Sequence, residues 1–229
     1  MTGFAGLGPD FLAFFRDLAA AQNRDWFQAN KRRYEAAVKE PLRDLVVGSN
    51  EALAARGVPL SGDPRRSVSR INRDVRFSAD KRPYKDYAAL TFTRAAGEMS
   101  PGLLYVQFSP DECFAGIGFY AVDPAHLAAM RAGIAADQPG WVAVENALAK
   151  AGAPLEQGEA LKRMPRGFEA LAGSPVENAL RLKAHVAKLR LEPERLGPDL
   201  PDRIGQLALG AMPLLQFGWR VLNDPARQI

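Results

Sequence analysis

One cysteine and two histidines in 229 residues leave little material for thiolate or imidazole chemistry. Cys113 alone cannot form an internal disulfide or supply a zinc site built from several thiolates, and a reducing cytoplasm is the expected compartment. His126 and His185 fall in separate predicted elements without metal-like spacing to an acidic neighbour, so no metal and no cofactor is implied. Long apolar runs are missing too. A stretch such as Leu103–Phe108 falls far short of the roughly 20 residues a membrane-crossing helix needs. Met1 to Gly8 shows no basic segment followed by an apolar one, and no secretion signal is read. Gly116-Ile-Gly118 does not continue to a third glycine, and neither a Gly-x-x-x-x-Gly-Lys-Ser/Thr loop nor a Gly-x-Ser-x-Gly elbow occurs.

What is present suits an ordinary folded protein. Hydrophobic residues at 47% and charged residues at 24% supply enough apolar surface for a sizeable core, and the length suits a single domain over residues 1–229. Phe11, Phe14, Phe15 and Leu18 follow Pro9 and Asp10 at helical spacing. A second helix, capped by Asn23 or Asp25, carries Trp26, Tyr34, Val38, Leu45, Val46 and Leu53, with Pro41 as a break or kink and Gly57 as its end. After Gly62 and Pro64 the pattern turns to short β-prone segments: Val68 to Ile71, Tyr87 to Thr93, Leu103 to Phe108 and Cys113 to Tyr120. Gly97, Pro101, Gly102, Pro110 and Asp111 mark turns between the last three. Helices return around Leu127 to Ile134 and Trp141 to Leu148. A breaker-rich excursion from Pro154 to Pro175 precedes a short helix at Val176 to Leu182, a strand at His185 to Leu191 and a last helix from Leu200 to Leu222, weakened at Gly205, Gly210 and Pro213. The expected class is α+β, a mainly antiparallel central sheet packed by helices from both chain ends.

Charge is concentrated in one place. Arg65 to Lys85 holds eight basic residues against Asp74 and Asp80, a balance of +6, so the rest of a chain of net charge +4 sums to −2. Arg70, Arg73 and Arg76, with Lys81, Tyr84 and Lys85, could converge on phosphate or carboxylate oxygens if Ser78, Asp80 and Pro83 turn the chain back on itself. Lys162, Arg163 and Arg166 form a second basic group that could join the first. The competing reading is structural: Asp74 and Asp80 pair with neighbouring arginines and pin a loop to the sheet, while the lysines face water.

The run Arg73-Asp-x-Arg-Phe-Ser-x-Asp-Lys-x-Pro-Tyr-Lys85 resembles the signature of the family catalogued as domain of unknown function 2461. Asn23-x-x-Trp-Phe27, Gly118-x-Tyr120 with Pro124, Leu127 and Arg131, Leu161-Lys-Arg-x-Pro-x-Gly-Phe168, and Leu182-Lys183 resemble its shorter elements, so the likeness runs nearly end to end. It departs after Phe168, where the chain reads Glu169-Ala-Leu-Ala-Gly173. The resemblance implies membership without a reaction, a cofactor or a catalytic residue.

Four functions compete on these observations. The first is binding of a small anionic ligand by Arg70, Arg73, Arg76, Lys81, Tyr84, Lys85, Lys162 and Arg163. The second is an enzyme acting on such an anion, for which Asp74 and Asp80 are the acid/base candidates, although flanking arginines would keep both ionised. The third is nucleic-acid binding, disfavoured because the balance outside the segment is −2. The fourth is the ion-pair latch. No membrane partner is expected, and no oligomeric state is read.

Overall fold

A computed structural model describes residues 3–76, 78–94, 101–120 and 123–223. Phe77 of the motif and Gly97, expected at a turn, lie outside them. The chain gathers into two compact units: one of Met1–Met99, Leu104–Ala115 and Arg190–Gln206, the other of Ser100–Leu103, Gly116–Leu189 and Leu207–Ile229. Both are assembled from separate stretches of chain, and accordingly no linker composition marks their boundary.

In the first unit, α1 (Pro9–Ala20) buries Phe11, Phe14, Phe15 and Leu18 on one face. Pro9 suits its first turn, where an N–H would have no partner. Asn23 accepts from the Trp26 amide at 2.9 Å and starts α2 (Arg24–Ala29). The expected single second helix is in fact several pieces. After α2 come α3 (Lys31–Tyr34), a π-helical turn (Glu35–Lys39) and α4 (Glu40–Ala55). Pro41 has no N–H to give the carbonyl four residues back, and the wide turn lies directly before it. Gly57, at φ +65°, ends the run as expected.

The strands are β1 (Ala88–Phe92), β2 (Leu103–Phe108), β3 (Cys113–Phe119) and β4 (His185–Leu191), forming a four-stranded antiparallel sheet in that order. β1 and β2 pair from Ala88↔Phe108 to Phe92↔Leu104. Leu104, Val106 and Phe108 alternate into the core, and Phe108 meets the edge of Phe11 at 5.7 Å. The β2 and β4 bounds agree with the alternation in the sequence. Val68 to Ile71, expected as a strand, makes only isolated bridges.

The second unit contains α5 (Pro124–Ala136) and α6 (Gln138–Lys150), whose N-caps Asp123 and Asp137 accept from His126 N and Gly140 N at 2.9 and 3.0 Å. The short α7 (Glu177–Arg181) precedes β4. The expected last helix divides into α8 (Leu200–Gly210) and α9 (Met212–Leu222), because Gly210 ends one and Pro213 favours the first turn of the next. Gly118 has φ +143°, and a Cβ there would stand 2.2 Å from the His185 carbonyl oxygen, so only glycine lets β3 and β4 approach. Gly218 of α9 likewise admits the buried Phe119 ring. The fold class is therefore α+β, with Phe11 from an N-terminal helix and Gly218 from a C-terminal one each meeting a strand within its own unit. Among the described residues no helix is long and apolar enough to cross a membrane.

Candidate functional site

The basic segment runs antiparallel beside β1 and is held by bridges Ser61↔Thr93, Val68↔Leu90 and Asn72↔Tyr84. Their spacing is uneven. From Ser61 to Val68 is seven residues against three on the β1 side, whereas from Val68 to Asn72 is four against six. The basic chain thus loops out after Ser61, and the facing chain loops out between Tyr84 and Leu90 with two residues in excess. Such bulges redirect side chains away from the ladder.

The first loop-out is tied down locally. Asn50 donates to the Gly62 carbonyl and accepts from the Gly62 amide, both at 2.8 Å. Asp63 accepts from the amides of Arg65 and Arg66 at 2.7 and 3.1 Å, and Ser67 Oγ accepts from Asp63 N at 2.9 Å. Pro64 and Arg65 are carried outward as a result.

Beyond Asn72 the chain forms a loop closed at its base by Arg73 N donating to Pro83 O at 2.9 Å and Lys85 N to Ile71 O at 2.8 Å. Arg73 and Arg82 both pair with Asp80, at 2.6 and 2.8 Å, and Arg82 also reaches Asp86 at 3.3 Å. Arg76 forks onto Asp74 at 2.6 Å, with both side chains mostly exposed. Lys81 Nζ donates to Val75 O at 3.0 Å. Arg82, then Arg73, hold the Asp80 carboxyl well below the usual carboxylate range, and Arg76 lowers Asp74. Carboxylates so held remain ionised at neutral pH, which suits an anchor better than a proton acceptor.

Tyr84 is buried and stacks on Phe27, with ring centroids 4.5 Å apart and planes 24° apart. Gln22 brackets its backbone, donating to Tyr84 O and accepting from Tyr84 N, each at 3.2 Å. The two aromatic elements singled out in the sequence, Asn23-x-x-Trp-Phe27 and Pro83-Tyr84, therefore meet.

Around this junction opens a cleft of about 460 Å³, lined by Phe27, Gln28, Lys31, Tyr34, Glu35, Lys39, Arg43, Pro64, Arg65, Val68, Ser69, Arg70, Ile71, Asn72 and Tyr84. Five cations face one acid, a formal balance of +4. Lys39 pairs with Glu35 at 2.9 Å and Arg43 with Glu40 at 2.6 Å. Lys31, Arg65 and Arg70 have no ion-pair partner among the described residues. Burial, reinforced by the Glu35 charge, pushes the Tyr34 phenol up to about 12. It remains a donor at neutral pH. Ser69 Oγ is buried without a hydrogen-bond partner among the described residues.

A second cleft, of about 310 Å³, is lined by Arg73, Asp74, Arg82, Lys85, Asp86 and Tyr87. The last three lie on the two-residue excess of the facing chain.

A family model described as conserved hypothetical protein (DUF2461) matches residues 10–217. The chain belongs to the DUF2461 family. No curated protein and no solved structure matches it. Membership in DUF2461 thus identifies the chain without supplying a reaction, and the roles of its residues rest on geometry.

That geometry distributes the expected site residues. Arg70 and Tyr84 line the first cleft and Arg73 and Lys85 the second, while Arg76 and Lys81 engage the loop's own oxygens. Lys162 and Arg163 belong to the other unit, are exposed, and line neither cleft. There Arg181 Nε donates to Leu161 O at 2.7 Å and Lys183 pairs with Glu159 at 2.9 Å. Arg131 donates to Leu180 O and Leu182 O at 2.8 and 3.2 Å, so these family-like elements tie backbone together. Lys31, Lys39 and Arg43 were not expected at the site. Their spacing of eight and four residues, which keeps a helical face, was the available signal.

Proposed function

We propose that this DUF2461 protein binds a small phosphate- or carboxylate-bearing molecule in the cleft between the Lys31–Arg43 helical wall and the Pro64–Asn72 chain. The observation that carries the reading is the surplus of cations around a cleft of about 460 Å³. Three of them form no ion pair among the described residues, and the volume lies within the range of small-molecule sites, about 300–1,000 Å³. Guanidinium forks on Arg65 and Arg70, the Lys31 ammonium and the Tyr34 hydroxyl offer the donor set an oxyanion needs. A cytoplasmic setting, inferred from the single cysteine, accords with such a ligand.

The loop from Arg73 to Pro83 supports a second, complementary role as a latch. Arg73, Arg76 and Arg82 pair with its own Asp74 and Asp80, Lys81 holds the Val75 carbonyl, and the loop adjoins the chain that presents Arg70. Neither Asp74 nor Asp80 suits general base catalysis, which weighs against an enzyme working through them. The −2 balance outside the basic segment limits any nucleic-acid footprint.

A thermal-shift screen across inorganic phosphate, nucleotides, sugar phosphates and dicarboxylates at matched ionic strength tests the anion site. At least one class should raise the melting temperature of the wild type and do so much less for Arg70→Gln. An anion response that is the same for every salt, or unchanged in Arg70→Gln, would sink the reading.

A further inference from the structure

The charged residues of the motif do not all serve the latch. Arg73, Asp74, Arg76, Asp80 and Lys81 are engaged with one another or with backbone oxygens, and Tyr84 is packed in the core. Lys85 is different. Its ammonium has no hydrogen-bond or ion-pair partner among the described residues, and it lies over the Tyr87 ring at 5.6 Å from the centroid.

The pairing pattern explains how it comes to be there. Six residues separate Tyr84 from Leu90 where the facing chain uses four, and this excess places Lys85, Asp86 and Tyr87 on the second cleft rather than in a ladder. Two acids line the same cleft, yet Asp74 is taken by Arg76 and Asp86 by Arg82. Half-burial, with a smaller contribution from the Arg70 charge, pushes the Lys85 amine below its ordinary range and so enlarges the share of free base. Arg73 uses one terminal nitrogen on Asp80, which leaves further N–H donors of its guanidinium for an anion in this cleft.

We propose that Lys85 is a nucleophilic amine that forms an imine with a small carbonyl compound bearing a carboxylate or phosphate, oriented by Arg73. The Nζ lone pair attacks the carbonyl carbon, and the C=O π electrons move to oxygen. Proton transfer from nitrogen to oxygen gives the carbinolamine. Its hydroxyl leaves as water after protonation while the remaining N–H proton is lost, forming C=N. Overall, amine and carbonyl give imine and water, with no change of oxidation state. The cleft differs from the one assigned to anion binding above, so each reading can fail alone.

The test treats the full-length protein with glyoxylate and sodium cyanoborohydride at neutral pH and follows each lysine by peptide mass spectrometry. Lys85 is expected to be labelled several-fold faster than Lys81 and Lys162, with a smaller lead when uncharged propanal replaces glyoxylate. Lys85→Arg, which keeps the charge and the fold, should lose the label there and retain the phosphate response of the first cleft. Labelling of Lys85 no faster than of Lys81 and Lys162 would overturn the nucleophile. An equal lead with propanal would overturn the anionic class of substrate.

Discussion

Arg70 and Arg73 stand three residues apart in one basic run, yet one lies on an open cleft with no ion-pair partner among the described residues and the other is locked to Asp80 at 2.6 Å. The two stretches they represent, the cleft wall from Pro64 to Asn72 and the loop from Arg73 to Pro83, are both rich in arginine. Only the loop carries Asp74 and Asp80 within reach of its arginines, and turn formers bring them round. The same guanidinium serves cohesion where a turn brings a carboxylate into contact with it, as with Arg73 and Asp80, and forms no such contact at Arg70 although Asp74 is only four residues away. Charge density alone does not distinguish these fates. The position of acids relative to turns does.

Three substitutions test that division. Tyr84→Ala removes a buried ring stacked on Phe27 at the junction of both regions; a loss of about 3 kcal/mol or more is expected from large-to-small core changes, read by equilibrium denaturation, with the anion response falling too. Full stability in that variant would mean that the loop and the helical wall are not held through Tyr84.

Asp80→Asn strikes the latch alone and should lower the melting temperature by a few degrees at neutral pH. The sign with pH follows from its lowered carboxyl. A folded pKa below the unfolded one contributes stability above the ordinary carboxylate range, and that contribution is lost as pH falls through about 4 and below. The gap between wild type and variant should therefore be widest near neutrality and close in acid. A gap that is constant with pH would show that the ion pairs are not its source.

Arg70→Gln should leave the melting temperature in plain buffer unchanged while weakening binding of the best anion by about tenfold, the scale of one lost charge-assisted hydrogen bond. Isothermal titration measures it. A stability loss as large as that of Asp80→Asn would place Arg70 with the latch and erase the contrast.

Much of the framework was legible because local patterns and tertiary packing agree. The aromatic stripe of α1 and the alternation of β2 each bury the face their spacing marks. Where the helices break, they do so at breakers the sequence marks, and a single residue changes the backbone rather than the pattern. Pro41 widened the preceding turn, and Gly210 with Pro213 divided the last helix, although apolar positions continue through both places. Val68 to Ile71 has strand composition, yet unequal chain lengths between the bridges prevent a continuous ladder. No propensity encodes that inequality.

The candidate site was legible on one side only. Arg70 and Tyr84 lie in the segment that charge and motif both single out. Lys31, Lys39 and Arg43 come from successive helical pieces outside the basic segment, where Lys39 pairs with Glu35 and Arg43 with Glu40. Spatial convergence of separated segments is a tertiary fact, and here the Phe27–Tyr84 stack brings it about.

The Gln22 bracket on Tyr84 spans 62 residues of chain. Closing a loop of that length costs entropy before any contact repays it, which disfavours early meeting of the two cleft walls relative to the local helices. During synthesis the wall carrying Lys31, Lys39 and Arg43 leaves the ribosome well before Arg70 and Tyr84. Until residue 84 arrives, Phe27 lacks the ring that stacks on it, and apolar surface left uncovered in this way is what exposes a nascent chain to chaperones.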